Sequence, residues 1–251
     1  MKLIFLGVSS ALTIGYKKFQ SNMVLTSSSG KNLLIDCGSD IKHSLIQQNF
    51  SHNDIDAVYI SHLHADHVGG MEWLGLSKLF IDKKRPKLYI CSELQKPVWE
   101  NVLKGGMSTL EDIEAKLDSF FDIQTTKGNK FSWEGYDFNL VRVFHSMSNN
   151  KRLPCYGLSF IGDKEKVFLS TDARFAKDEL ISVYKDSTII FHDCETSKIV
   201  SGQHASYEAL NSLDRSIKEK MWLYDYADGD LPDAVADGFR GFVVQGQTFD
   251  V

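Results

Sequence analysis

Between Ser61 and Gly70 the chain reads SHLHADHVGG, which puts three of its eight histidines and an aspartate within six positions. Imidazole nitrogens and carboxylate oxygens are the lone-pair donors with which proteins hold zinc, manganese and related divalent ions. His62 and His64, two apart, point to one side while the chain is extended, and a turn at Asp66 and His67 redirects the next two donors. One such segment can offer two ligands to one ion and two to another. Gly69 and Gly70 allow a tight turn behind them. The competing reading is a polar loop with chance histidines, and this density of donors argues against it.

Further donors stand where strands should end. His62 follows AVYIS, His145 follows LVRVF, Asp172 follows VFLST and Asp225 follows MWLY. The carboxyl edge of strands is where open α/β sheets build their sites. For His145 alone, a hydrogen-bonded buried histidine is the plainer alternative. His43 and His52 are read as solvated.

These donors need strands to carry them. Short apolar runs rich in Val, Ile, Phe and Tyr recur along the chain, among them KLIFLG, MVLTSS, NLLIDCG, AVYISH, KLYICS, FNLVRVFH, YGLSFIG, KVFLSTD, TIIFHD and MWLYDYAD, and their length favours strands. After Ser206, an N-cap candidate, Tyr207, Leu210, Leu213, Ile217 and Met221 step by three and four, which predicts one amphipathic helix. A second helix is expected from about Thr109 to Phe121, with Ile113, Leu117 and Phe120 on one side. Gly105 and Gly106 before it are either a hinge or part of a flexible loop. The order of elements predicts an α/β fold of two packed sheets covered by helices, in one domain over residues 1–251.

Composition excludes several classes. The 251 residues carry a formal charge of −5, which argues against a broad electrostatic grip on nucleic acid. No segment approaches the ~18 apolar residues of a membrane span. MKLIFLGVSS reads as a first strand, since its apolar run is too short for a signal peptide. Cys37, Cys91, Cys155 and Cys194 lie far apart without a C-x-x-C pair, a pattern of reduced thiols in a cytoplasm, the host's if the chain is phage-encoded.

The H-x-H-x-D-H formed by His62, His64, Asp66 and His67 resembles the signature of the metallo-β-lactamase superfamily. That resemblance implies an αββα sandwich, two divalent ions, His145 as third ligand of the first ion and Asp172 as the bridge. FLGVSSALTIGYKKFQSNMVL, with Asn22, and DCG at Asp36, Cys37 and Gly38 are similar to the opening of the ribonuclease Z-like phosphodiesterase branch. GQHAS, Gly202 to Ser206, resembles that branch's extra histidine, which makes His204 the implied general acid, with an ordinary exposed loop histidine before a helix as the plain alternative. IIFHDCET implies Asp193 as the group that orients it, with Glu195 as a weaker candidate and a strand cap by Asp193 or His192 as the plain alternative. Where the family closes its site with histidine, this chain has Asp225. Asp66, His67, Asp172 and Asp225 would then hold the second ion, a harder shell that shifts preference from Zn toward Mn; Asp228 or Asp230 takes that place if the alignment slips.

Within this branch HADHVGGMEWLGL is similar to the anti-Pycsar cyclic-nucleotide phosphodiesterases. The resemblance implies hydrolysis of a small nucleotide, with Asp66, His204 and Asp193 as catalytic residues, no stable nucleic-acid or membrane partner, and a homodimer in which the segment from Gly105 to Phe121 could act in trans. Trp73, Met107, Asn149, Asn150 and Tyr156 are the loop candidates for base contact, each also readable as ordinary packing. Two alternatives stand beside this one. An RNA 3′-end endonuclease is disfavoured because the stretch from His145 to Asp172 leaves no space for a transfer-RNA arm. A noncatalytic nucleotide-sequestering protein is disfavoured by the full set of ligands.

Overall fold

The computed structural model describes residues 1–13, 18–111, 113–126 and 128–251. Residues 14–17 of the opening stretch, and Asp112 within the expected 109–121 helix, lie outside this set. Among the described residues, strands β1 (Lys2–Phe5), β2 (Met23–Thr26), β3 (Asn32–Ile35), β4 (Ala57–Ile60), β5 (Lys87–Ile90), β6 (Asp122–Thr125), β7 (Lys130–Trp133), β8 (Tyr136–Arg142), β9 (Tyr156–Ile161), β10 (Lys166–Leu169), β11 (Ile189–Asp193), β12 (Met221–Tyr224), β13 (Gly241–Phe242) and β14 (Thr248–Asp250) build two large sheets. One runs β14-β1-β2-β3-β4-β5-β6 and the other β13-β12-β11-β10-β9-β8-β7. Both are mixed. The β3 to β6 block and the β10 to β13 block are parallel, and the remaining pairs are antiparallel.

Side-chain alternation along the strands explains the layers. Val167 and Leu169 of β10 belong to the cluster between the sheets, while Phe168 belongs to a second cluster outside. Phe5 of β1 packs 5.2 Å from Phe191 of β11, ring to ring across the sandwich. Helices Ile41–Gln47 and Met71–Phe80 cover the first sheet with Ile41, Leu45, Met71 and Leu74. Helix Lys177–Asp186 covers the second with Leu180 and Tyr184. The result is the αββα sandwich that the resemblance implied.

Three local expectations are corrected. The run from Ser206 to Met221 forms two short helices, Tyr207–Asn211 and Arg215–Lys218, followed by β12. Tyr207, Leu210, Leu213, Ile217 and Met221 are all buried in the outer cluster. The spacing thus reports a shared buried face, and Asp214 restarts the chain as a second N-cap. Between Thr109 and Phe121 the chain makes a small ribbon, Thr109–Leu110 against Ile113–Glu114, and only Leu117–Phe120 is helical. Ile113 is 59% exposed, so the apolar stripe lacks its first member. Gly105 and Gly106 lie in a helical turn, Lys104–Met107, which continues Ser92–Pro97 through a π-helical stretch, Val98–Leu103. A Cβ on Gly106 would sit 2.4 Å from a Glu72 carboxylate oxygen, the movable end of that side chain, and one on Gly105 would meet nothing within 4 Å.

Candidate metal centre

All four strand-end donors meet at one edge of the sandwich. Ile35 of β3 pairs with Tyr59 of β4, which brings Asp36 beside the residues that follow β4. Asp193 of β11 pairs with Tyr224 of β12, which brings Asp225 beside Asp193. Asp36, Thr171 and Asp225 have φ of 61°, 53° and 62°. A β-branched residue in that region costs on the order of 1–3 kcal/mol, and here the strained turn carries the chain from β10 into Asp172.

Three nitrogens converge. His62 Nε2 and His145 Nε2 each lie 3.0 Å from His64 Nδ1, and Asp172 Oδ2 lies 3.8 and 3.6 Å from the first two. Their outer nitrogens decide the tautomers. Ser61 Oγ donates to Asp36 Oδ2 at 2.7 Å, so at 3.0 Å it accepts from His62 Nδ1–H. His145 Nδ1–H donates to the Gln203 carbonyl at 2.9 Å. Both Nε2 atoms therefore present lone pairs to His64 Nδ1, and one proton at most could be shared among the three. Burial pushes the His62 and His145 imidazoles below their ordinary value, which keeps them neutral. Tetrahedral zinc with imidazole ligands spaces its nitrogens roughly 3.3 Å apart, close to what is seen here.

Asp66, His67 and Asp172 form a second donor set. His67 Nδ1–H donates to Asp36 Oδ2 at 2.7 Å, so Nε2 faces Asp66 Oδ2 at 3.1 Å and Asp172 Oδ1 at 3.3 Å. These are ion-pair distances without hydrogen-bond alignment, and among the described residues His67 Nε2, Asp172 Oδ1 and Asp225 Oδ1 are buried with no hydrogen-bond partner. Orphaned buried lone-pair atoms of this kind are what a cation would satisfy. The residues present therefore fit a divalent metal site.

Asp172 also joins His204 and Asp225 in a third set, so Asp225 reaches the shared Asp172 from the side of the general-acid candidate. His204 Nδ1 is 2.9 Å from Asp193 Oδ2, 3.6 Å from Asp225 Oδ2 and 4.0 Å from Asp172 Oδ2. Burial alone would lower the His204 imidazole, but the Asp193 hydrogen bond and the Asp172 and Asp225 charges raise it to about 10. Burial, reinforced by Asp172, lifts the Asp225 carboxyl to about 7. Asp193 also accepts the Ala173 N–H at 3.0 Å and is wholly buried, so it is fixed before His204 meets it.

Two cavities share His64 and His145, one of about 650 Å³ that also reaches His204, the other of about 460 Å³ under Leu94, Pro97 and Val102. The family model described as Anti-Pycsar protein Apyc1 matches residues 1–249. The chain belongs to this family. The Anti-Pycsar protein Apyc1 of Paenibacillus harenae is 35% identical over 231 residues, 91% of this chain and 90% of that protein. The Anti-Pycsar protein Apyc1 of Bacillus phage vB_BsuM-Goe3 is 32% identical and covers 90% of this chain and 89% of its own. Among solved structures, the metallo-β-lactamase fold protein YhfI from Bacillus subtilis has a TM-score of 0.74 at 15% identity, covering 99% of this chain and 98% of its own. Human tRNase Z, short form, has a TM-score of 0.69 at 17% identity, with 99% and 98% covered. At that identity the two structures show a shared fold.

For this anti-Pycsar chain the structure also relocates several candidates. Trp73 lies in the Met71–Phe80 helix, edge-on to His52, whose Nδ1 is 3.0 Å from Asp82 Oδ2. His52 is therefore paired and half-buried, while His43 is exposed. Met107 is buried in its helical turn, and Tyr156 begins β9 with its hydroxyl 3.1 Å from Glu93 Oε1. Asn149 and Asn150 form the tip of the Met147–Arg152 ribbon. None of these five lines either cavity at the metal donors. Glu195 Oε1 accepts from Ser197 Oγ and the Ser201 N–H, so it braces its own loop and does not orient His204. Asp228 pairs with Lys18 at 3.3 Å and is exposed, as is Asp230.

Two residues that the sequence reading named only as motif members, without a role, support the site. Asp36 accepts from the Ser61 N–H, the Ser61 hydroxyl and His67 Nδ1–H, and Ser61 in turn holds His62. The DCG motif was the available signal. Asn22 Nδ2 donates to the Asp66 carbonyl at 3.2 Å while its Oδ1 accepts the Gly38 N–H at 2.6 Å, tying β3's exit to the ligand loop.

Proposed function

We propose that the chain is a metal-dependent phosphodiesterase that hydrolyses 3′,5′-cyclic mononucleotides, such as cCMP, cUMP, cAMP and cGMP, to nucleoside monophosphates, with two ions of Zn or Mn. The observation that carries this reading is the pair of half-buried His204 and buried Asp193 set beside converging metal donors. His62, His64, His145 and Asp172 would hold one ion and Asp66, His67 and Asp172 the other, with Asp225 completing the second. When bound, such ions supply Lewis acidity toward phosphoryl oxygens and acidify water for attack on phosphorus. Asp66 and Asp172 contribute the charge that fixes the ions and limits where a phosphate can sit.

His204 has Nδ1 engaged by Asp193, so Nε2 is the nitrogen left to face substrate. A proton held there passes to the departing ribose oxygen as the P–O bond breaks, while water adds to phosphorus and a nucleoside monophosphate leaves. The hydrogen bond to Asp193 favours the protonated ring, the form an acid requires. Asp193 orients the ring and balances its charge. The two cavities meeting at His64 and His145 leave room for a nucleoside beside the phosphate.

A small substrate is favoured over RNA because only the Met147–Arg152 ribbon, β9 and β10 lie between His145 and Asp172, with no inserted arm, and the net charge is −5. Relatives named anti-Pycsar in Bacillus phages support a role in evading a cyclic-nucleotide defence inside a host cell. Leu12 and Ile199, 91% and 86% exposed at the mouth of the larger cavity, favour a homodimer in which a second copy covers them.

The test is direct. Purified protein loaded with Mn or Zn is incubated with the four cyclic mononucleotides, cyclic dinucleotides, precursor transfer RNA and bis(p-nitrophenyl) phosphate. Hydrolysis of a cyclic mononucleotide, lost with a chelator and in His64→Ala, is expected. Inert metal-loaded protein, or capture of a cyclic nucleotide without turnover, overturns the reading.

A further inference from the structure

Behind Asp193 a second buried histidine extends the hydrogen bonds away from the cavity. His192 precedes Asp193 on β11, so its side chain starts from the opposite face, toward the Lys177–Asp186 helix. It is fully buried. Its Nδ1 lies 2.8 Å from the Asp193 carbonyl oxygen and 3.1 Å from Asp193 Oδ1. Both neighbours are acceptors, so the proton resides on Nδ1 and Nε2 keeps a lone pair. That lone pair accepts from the Tyr184 hydroxyl at 2.8 Å. Burial, with the Asp193 charge behind it, pushes the Tyr184 phenol far above its ordinary value, so it stays a donor.

The placement is costly unless it serves something. Tyr184 belongs to the apolar cluster of Leu180, Leu210, Leu213 and Leu223, where a hydrocarbon side chain would pack without desolvating a polar atom. The chain of contacts runs from Tyr184 Oη to His192 Nε2, across the ring to Nδ1, whose N–H donates to the Asp193 carbonyl and lies 3.1 Å from Oδ1, and from Asp193 Oδ2 to His204 Nδ1. While Tyr184 donates to Nε2, the His192 ring cannot turn a lone pair toward the Asp193 carboxylate.

We infer that Tyr184 and His192 are positioning residues for leaving-group protonation: they hold the Asp193 carboxylate so that Oδ2 receives His204 Nδ1–H and the opposite ring nitrogen faces the substrate. This rests on the acid role proposed for His204. Neither residue lines the cavity, and both act through Asp193. Asparagine at position 192 can place an amide N–H where imidazole Nδ1–H stands; leucine cannot.

The experiment compares kcat on a cyclic mononucleotide, which expels a ribose alkoxide and needs an acid, with kcat on bis(p-nitrophenyl) phosphate, which expels a stable phenolate and does not. His192→Leu is expected to lose on the order of 10–100-fold on the cyclic nucleotide, the usual range for a partner one step behind a functional group, and about threefold or less on the aryl ester. Tyr184→Phe, which removes one oxygen and keeps the packing, is expected to show the same selectivity with a loss of about fivefold, the scale of one neutral hydrogen bond. His192→Asn is expected to restore most of the cyclic-nucleotide rate. Equal losses on both substrates in Tyr184→Phe, or no rescue by His192→Asn in a protein that melts like the parent, would overturn the inference. His204→Ala run alongside separates the two readings: if it fails to discriminate between the substrates, the acid assignment falls, whereas discrimination by His204→Ala alone defeats only the positioning role.

Discussion

At the scale of single residues, the decisive features are lone pairs and what stands behind them. Asp36 bonds neither cavity nor substrate, yet it sets the tautomer of His67 and the hydroxyl that sets His62. Asp36→Asn places amide hydrogens where two donors now point. It is expected to weaken metal affinity on the order of 10–100-fold with the fold retained, measured by metal titration and circular dichroism. Protons are part of the same account. Burial alone would lower the His67 imidazole, but the Asp172, Asp66 and Asp36 charges hold it well above its ordinary value, and burial pushes the Asp225 carboxyl up to about 7. In the metal-free protein both groups are at least partly protonated at neutral pH, and an ion must displace those protons. Apparent metal affinity should therefore fall as pH drops, by about tenfold per unit for each proton displaced. Calorimetry in buffers of different ionisation heat reads that release; affinity flat between pH 6 and 8 would contradict it.

At the scale of elements, the strands were easier to read than the helices. A strand announces itself by a short β-branched or aromatic run, and β4, β10, β11 and β12 lie in runs the sequence singled out, while β8 overlaps one. Periodicity of three and four reports only which residues share a buried face. Two short helices and the start of a strand can satisfy it, as Tyr207 to Met221 shows. The loops that carry ligands depend on close backbone approach. A Cβ on Gly38 would sit 2.0 Å from the Asp66 carbonyl oxygen, which Asn22 also binds. Gly38→Ala therefore has to displace the ligand loop itself. It is expected to destabilise the protein by about 2 kcal/mol or more, in the range of overpacked positions, and to abolish metal binding; a variant that melts and binds metal like the parent would contradict the close approach. Gly30, with nothing within 4 Å of a built Cβ but a φ of +80°, is a useful contrast outside the site.

At the scale of the whole molecule, donors from both sheets meet at one edge, so an ion there ties the halves of the sandwich together. An ion that binds the folded chain and not the unfolded one stabilises it by about 2.7 kcal/mol at a hundredfold excess over Kd. For a protein of this size that corresponds to roughly 5–10 °C in Tm. Melting curves of chelated and Mn- or Zn-loaded protein should differ by that amount, and no shift would mean that the cluster does not hold the ion. By itself the sequence determined the donor types and their strand-end positions, because ligand spacing in HLHADH and the apolar runs before His145, Asp172 and Asp225 are local properties. It also carried the sandwich, through alternation and through motifs shared with a known superfamily. Only the tertiary structure decided which donors share a point, that Asp193 and not Glu195 meets His204, that Asp225 and not Asp228 faces Asp172, and that Asp36 and Tyr184 stand behind the site. Those are distances across strand pairings and between sheets, set by long-range packing of β10, β11 and β12 against β3 and β4, and no local spacing encodes them.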